Sequence, residues 1–415
     1  MKVLKDSIIY LTTSSINKII PFLLLPIMTK YLLPEEYGLL SLYMLFITLF
    51  TAFIGMNMHL NISKNFFQVS KDKMAIIVGN IFILLSLTFG VYFLIVLFFA
   101  SESIFSIPFK WFLLIPVLSF LMMINVINKT ILRNEGKALL FGGFEISHSV
   151  INMGVTLILL IIYGLGWYAQ VYGLLFSYTI FLVVGLVYMK QHNYIELKYE
   201  KAVFRNLLSV SLPLIPHALG GVILTMSDRI FIEKMIDLET VGIYSVGYTF
   251  GMIVLLFSQS FIKAWNPWFY KKLASPSDKN KRLIVKYSYL YIIGILVLSL
   301  FVAFFGSYIL PYFVDEAYYQ AASYVFWISL GYAMFGIYQI FFPYLVHIER
   351  TSFLAISTTI SAVLNLILNY FCINSFGAIG AAYATFLSYL LMFVLVAFYT
   401  QIYYRMPWFY MFKRL

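Results

Sequence analysis

The chain has 415 residues, 62% of them hydrophobic and 11% charged, with mean hydropathy +0.91 and a formal net charge of +11. Soluble domains carry about 45–50% apolar and about 25% charged residues, so no soluble core absorbs this much apolar surface. Spans of roughly 20 apolar residues, enough to cross about 30 Å of hydrocarbon, recur along the whole chain and predict a polytopic all-α membrane protein. The alternating segments of about ten residues that mark an outer-membrane barrel do not occur.

Spans are predicted near 8–29, 38–61, 75–99, 110–131, 139–162, 169–189, 207–232, 241–264, 284–309, 324–346, 353–373 and 378–403. Lys2 and Lys5 precede the first apolar run, but no small-residue cleavage site follows and Lys18 interrupts the run, so it reads as a retained span rather than a signal peptide. The single cysteine, Cys372, excludes an intramolecular disulfide and a cysteine-based metal cluster. Placement of charge argues against nucleic acid as partner. Of the 28 basic residues, Lys30, Lys110 and Lys234 are assigned to alternate corners and Lys18, Arg229 and Lys263 to spans; the other 22 are assigned to the remaining corners and termini, with Lys110, Lys129 and Lys286 at the very edges of their spans. That asymmetry predicts an even number of spans with both termini cytoplasmic.

Two internal echoes divide the chain. Lys30, Glu35, Gly38, Ser41 and Phe46 recur at a constant offset as Lys234, Glu239, Gly242, Ser245 and Phe250, and Gly166, Tyr172, Ser177 and Tyr178 recur as Gly377, Tyr383, Ser388 and Tyr389. The hydrophilic stretch 190–206 is the natural linker, giving two pseudo-symmetric six-helix lobes, 1–195 and 196–415, in parallel orientation.

Ionisable residues inside spans are costly and are kept where they face a cavity or a partner. Lys18 shares a helix side with Ser14, Ser15 and Pro21; it either lines a cavity or snorkels to the headgroups. Glu145, His148, Asn152 and Thr156 form a stripe at i, i+3, i+7 and i+11, suited to proton relay or cation holding, or to interhelical hydrogen bonds. Two ligands are too few for a metal site. Asp228 and Arg229 sit in the outer third of the seventh span and are not necessarily paired with each other, being about 100° apart on a helix. His217 falls on the Asp228 face if Pro213 and Pro216 do not redirect the helix. That pair is either a structural lock or a ligand contact. Thr358, Ser361, Asn365 and Asn369 make a similar stripe, more typical of helix glue, and Lys263 has an easy snorkelling route. The tail Arg405 to Arg414 mixes aromatic and basic residues, as a segment on the inner membrane surface does. No nucleotide-binding loop, zinc-protease or serine-hydrolase motif is placed to work, so no catalytic residue, metal or cofactor is assigned.

The segment Pro21 to Gly38, reading PFLLLPIMTKYLLPEEYG, resembles the first span and corner of Wzx-type O-antigen flippases. Ser227-Asp228-Arg229, Val241 to Ser245, Ala264 to Trp268, and Asn365 to Asn369 leading into Phe376 to Ala382 are similar to later pieces of that family, in order along nearly the whole chain. The resemblance implies membership of the multidrug/oligosaccharidyl-lipid/polysaccharide exporter superfamily, with about twelve helices in two lobes around a central cavity. It implies translocation of undecaprenyl-pyrophosphate-linked oligosaccharide, an O-antigen or capsule repeat unit, from inner to outer leaflet of a bacterial inner membrane. Implied partners are that lipid-linked oligosaccharide, the phospholipid bilayer and a polysaccharide polymerase machinery. Lys18 and Lys263 match expected cavity cations, and Arg229 is the third intramembrane cation. Two other readings remain open: a cation-coupled multidrug extruder using Glu145 or Asp228, and a membrane glycan polymerase or ligase, against which the short outer loops argue.

Overall fold

A computed structural model describes residues 12–13, 17, 20, 22–99, 103–274 and 277–408. Helix dominates because uninterrupted apolar sequence in lipid must satisfy its backbone internally. The protein is an all-α integral membrane protein. Among the described residues ten helices are long and apolar enough to cross a membrane, and the pair Lys201–Leu214 and Ala218–Met235, separated by a short break, makes an eleventh candidate. The first predicted span falls partly outside the described residues.

In chain order the helices are α1 (Phe22–Tyr31), α2 (Pro34–Gly55), α3 (His59–Asn65) and α4 (Lys71–Phe99). A two-residue hairpin pairs Ser103–Ile104 with Ile107–Pro108 before α5 (Phe109–Phe112), α6 (Leu114–Asn134) and α7 (Ala138–Leu157). There follow α8 (Tyr168–Gln191), α9 (Lys201–Ser211), α10 (Ile215–Met235), α11 (Leu238–Gly251) and α12 (Ile253–Leu273). The last four are α13 (Asp278–Phe313), α14 (Ala322–His347), α15 (Ser352–Phe376) and α16 (Ile379–Tyr403). The span predicted at 207–232 is not continuous: Leu212–Leu214 is a short 3-10 turn between α9 and α10. Pro213 and Pro216 lack the N–H groups that would carry an α-helix through it.

The internal echo is structural. α2 starts at Pro34 and α11 at Leu238, the same offset that relates Glu35 to Glu239; α8 and α16 start at Tyr168 and Ile379, the offset of the second echo. Gly166 and Gly377 both hold positive φ, 58° and 68°, a conformation open to residues without Cβ. Ser177 and Ser388 are each fully buried and bond back to their own helix, through Leu174 O and Ala384 O.

Two compact units, Met1–Val222 and Ile223–Leu415, make up the chain. In the first, Ile54, Ile62, Val78, Ile81, Leu85, Ile127, Ile131 and Met189 pack a core with essentially no exposure. Leu207 of amphipathic α9 joins it. The hydrophilic stretch before α9 is strapped to α4. Asn80 donates to Lys198 O at 2.8 Å and accepts from the Glu200 N–H at 3.2 Å, and Glu196 N–H donates to Ala75 O at 3.1 Å. The backbone comes so close that a Cβ on Gly79 would lie 1.8 Å from Glu196 O. Just past α6, Glu135 accepts hydrogen bonds from the hydroxyls of Tyr188 and Tyr194 and pairs with Lys137 at 3.3 Å. Burial pushes this carboxyl up, but the two hydroxyls and the Lys137 ammonium outweigh it and hold Glu135 below the usual carboxylate range.

Candidate functional site

In the first unit α7 carries the predicted stripe, and the structure gives Glu145 partners from two other segments. Lys129 of α6 approaches one carboxylate oxygen at 2.5 Å, and the Asn17 amide donates to the other. The Asn17 carbonyl accepts from Ser149 Oγ at 2.8 Å, so a single asparagine ties two α7 side chains to the first span. His148, one turn along, packs its ring on Tyr178 at 4.4 Å and Phe181 at 5.4 Å between centroids.

These residues wall a cavity of about 270 Å³ together with Asn125, Asn152 and Tyr178. A second, of about 210 Å³, shares Lys129 and Glu145 and extends to His59, Thr130 and Arg133. Lys129 and Glu145 therefore stand between two polar hollows, their side chains 31% and 15% exposed. Buried His148 Nε2, Asn152 Oδ1 and Asn125 Oδ1 have no hydrogen-bond partner among the described residues. Unmet polar atoms are expensive in a dry site and ordinary in a wet one. Thr156 is fully buried and reaches α8 where it is closest: a Cβ on Gly173 would sit 2.2 Å from Thr156 Oγ1.

In the second unit Asp228 and Arg229 of α10 do pair with each other. The guanidinium meets Asp228 Oδ1 at 3.0 Å, and the Arg229 backbone N–H meets the same oxygen at 2.9 Å. A long arginine folding back on its neighbour overcomes the angular separation of adjacent residues on a helix. Tyr244 of α11 donates to the other carboxylate oxygen at 2.5 Å. Arg229 also bonds Thr225 O at 3.1 Å and lies 4.5 Å over the Tyr248 ring, whose hydroxyl accepts from Tyr332 of α14 at 2.8 Å. Asp228 is 2% and Arg229 5% exposed, so both charges are met inside a tyrosine cage.

Ser227 donates to Asn365 Oδ1 at 3.0 Å, and Asn369 donates to the same atom at 3.0 Å, which links α10 to α15. Lys263 is exposed on α12. His217 lies in the first turn of α10, its side chain outside the described residues, and Lys18 is outside them altogether. No group of three metal-ligating His, Cys, Asp or Glu side chains occurs among the described residues.

The sequence reading missed Lys129, which it placed in a cytoplasmic corner. The structure puts Lys129 five residues inside α6, on the side of Asn125. The signal was there as the polar run Asn125, Asn128 and Lys129, directly opposed in hairpin order to Glu145. Tyr244, Tyr248 and Tyr332 were also missed; with 33 tyrosines in the chain, nothing marked these three.

A family profile for polysaccharide biosynthesis proteins matches residues 3–273, and the MatE profile matches residues 213–371. Among curated proteins, Lsg locus putative protein 1 of Haemophilus influenzae is 28% identical over 295 residues, 69% of each chain. The probable low-salt glycan biosynthesis flippase Agl15 of Haloferax volcanii is 30% identical over 252 residues, 58% of this chain and 51% of that one. Among solved structures, an inward-facing MATE-family multidrug transporter aligns with a TM-score of 0.73 at 13% identity, covering 93% of this chain and 94% of that one. The lipid II flippase MurJ in an inward closed conformation aligns at 0.69 with 15% identity, covering 96% and 87%. Those neighbours have a two-lobe, twelve-helix fold, and this chain shares it.

Proposed function

The chain belongs to the polysaccharide biosynthesis protein family, within the multidrug/oligosaccharidyl-lipid/polysaccharide exporter superfamily, and from that premise we propose that it flips an undecaprenyl-pyrophosphate-linked oligosaccharide. The cargo is an O-antigen or capsule repeat unit, carried from inner to outer leaflet by alternating access in a bacterial inner membrane, with both termini cytoplasmic. A polysaccharide polymerase consumes the flipped unit.

The observation that supports this most is the polar double hollow around Lys129 and Glu145 among membrane-spanning helices. A pyrophosphate diester carries about two negative charges, and moving it through hydrocarbon uncompensated costs tens of kcal/mol by Born reasoning. In the first unit Lys129 and Arg133, with Lys18 as a further cation by sequence, offer compensation, and the Asn, Ser and Tyr walls offer hydrogen bonds to sugar. Glu145 holds Lys129 in check. An anion at Lys129 competes with Glu145 for the same ammonium, so cargo binding and the Lys129–Glu145 contact are linked. Asp228 and Arg229, by contrast, are saturated by each other and by tyrosines, which favours a lock.

The fold shared with MATE transporters and a carboxylate in the first unit favour one second reading, a cation-coupled drug extruder. Lys18 separates the two. Complementation of surface-glycan export should rank wild type and then Lys18→Arg well above Lys18→Gln and Lys18→Ala at equal protein levels, since arginine keeps the charge. A Gln variant as active as wild type removes the electrostatic role. Increased drug resistance without glycan export supports the extruder.

Topology is checked separately. In a background lacking Cys372, Ser70→Cys should be shielded from a membrane-impermeant thiol reagent in intact cells and Ala317→Cys should label; both positions are exposed in the fold. The reverse pattern overturns the orientation.

A further inference from the structure

An apolar hollow in the second unit lies between α12 and α13, about 620 Å³ in volume. Its walls are aromatic. Phe261 stacks on Tyr291 at 4.2 Å and 20°, and Trp268 meets Tyr287 edge-on at 5.3 Å and 87°. From Phe257 to Trp268 the wall runs about 16 Å at 1.5 Å per residue, roughly half the hydrocarbon thickness. Gly294 leaves it open: a Cβ there would meet nothing within 4 Å. Trp265, on the wall, is 4% exposed, and its indole N–H has no acceptor among the described residues.

The same faces become basic at one end. One helical turn beyond Trp268 stand Lys271 and Lys272, and one turn before Leu290 stands Lys286, with Arg282 a turn before that. Between 271 and 286 the chain has six basic residues and a single acidic one, Asp278. With 36 residues, α13 spans about 54 Å against about 30 Å of hydrocarbon, which leaves room for its basic first turns beyond the apolar core. An apolar slot that opens on a cationic rim fits an anionic amphiphile.

We propose that this groove seats the isoprenoid chain of a polyprenyl phosphate or pyrophosphate lipid, with its phosphate at the basic rim. The inference rests on the flippase reading and deepens it, by giving the cargo's tail a place apart from the polar hollows. Branched, unsaturated chain packs on aromatic faces by dispersion. A terminal phosphate carries about −1.5 to −2 charges, so a cluster of cations selects it over a singly charged phosphodiester headgroup.

The test uses the full chain in detergent, with native mass spectrometry after exposure to equal amounts of undecaprenyl phosphate and phosphatidylglycerol. Wild type should retain undecaprenyl phosphate about tenfold better, and Gly294→Phe, which puts a ring into the slot from a Cβ position with no neighbour within 4 Å, should lose about that factor. Lys271→Gln with Lys286→Gln should lower undecaprenyl phosphate retention and leave phosphatidylglycerol unchanged. An unchanged melting temperature in each variant shows that the fold is intact. Equal retention of the two lipids by wild type, or wild-type retention by Gly294→Phe, overturns the groove. Should retention follow these ratios while no lipid-linked oligosaccharide crosses reconstituted vesicles, the groove stands and the flippase reading fails.

Discussion

Asp228→Ala should cost about 3–5 kcal/mol, because it removes the carboxylate that pairs with the buried Arg229 guanidinium. Against a total stability of about 5–15 kcal/mol, that loss should remove most of the folded protein from the membrane. Arg229 cannot shed its proton, and Thr225 O and the Tyr248 face, which it also meets, carry no full negative charge. The paired replacement Asp228→Leu with Arg229→Met should restore abundance, since exchanging a buried ion pair for apolar side chains is often neutral or stabilising. If the pair is a lock, transport returns with abundance, as read by fluorescence-detected size exclusion and glycan export on the same cells. A double variant at normal abundance that exports nothing would give Asp228 and Arg229 a role in transport.

Glu145→Gln is expected to show the opposite pattern. Lys129 keeps about a third of its side chain in contact with solvent, so losing its partner should change stability by no more than about 1 kcal/mol. Export should nevertheless fall by at least about tenfold, the factor equivalent to 1.4 kcal/mol, because glutamine cannot alternate between holding and releasing the ammonium. Lys129→Gln should fall similarly, and the double variant should be no worse than either single one, as for two residues acting as one unit. Full export by Glu145→Gln would reduce the Lys129–Glu145 pair to helix packing.

The helices and their duplication were legible in the sequence because lipid leaves the backbone few choices and because corners repeat small and acidic residues at fixed offsets. The starts of α2 and α11, and the positive φ of Gly166 and Gly377, fall where the echoes put them. Glu145 and His148 stood out because a charge and an imidazole at helical spacing are conspicuous in apolar sequence. What they touch was not legible. Lys129 looked like one more cytoplasmic cation, since two residues of error at a span boundary decide whether a lysine is in water or in a site. The Asp228–Arg229 pairing depends on an arginine rotamer that no spacing rule specifies. The tyrosine cage depends on which few of many tyrosines a fold turns inward. The groove between α12 and α13 was invisible because aromatic residues at helical spacing look the same whether they face lipid generally or frame a slot.

The central claim is translocation of a lipid-linked glycan, and reconstitution measures it without intermediaries. Vesicles holding the purified protein and a lipid-linked oligosaccharide, initially inside, should expose its sugar to a lectin added outside, and protein-free vesicles should not. Glu145→Gln vesicles should lag far behind at the same protein content. Sugar that stays inside for as long as in protein-free vesicles, while a cationic dye is extruded from the same preparation, would contradict the account.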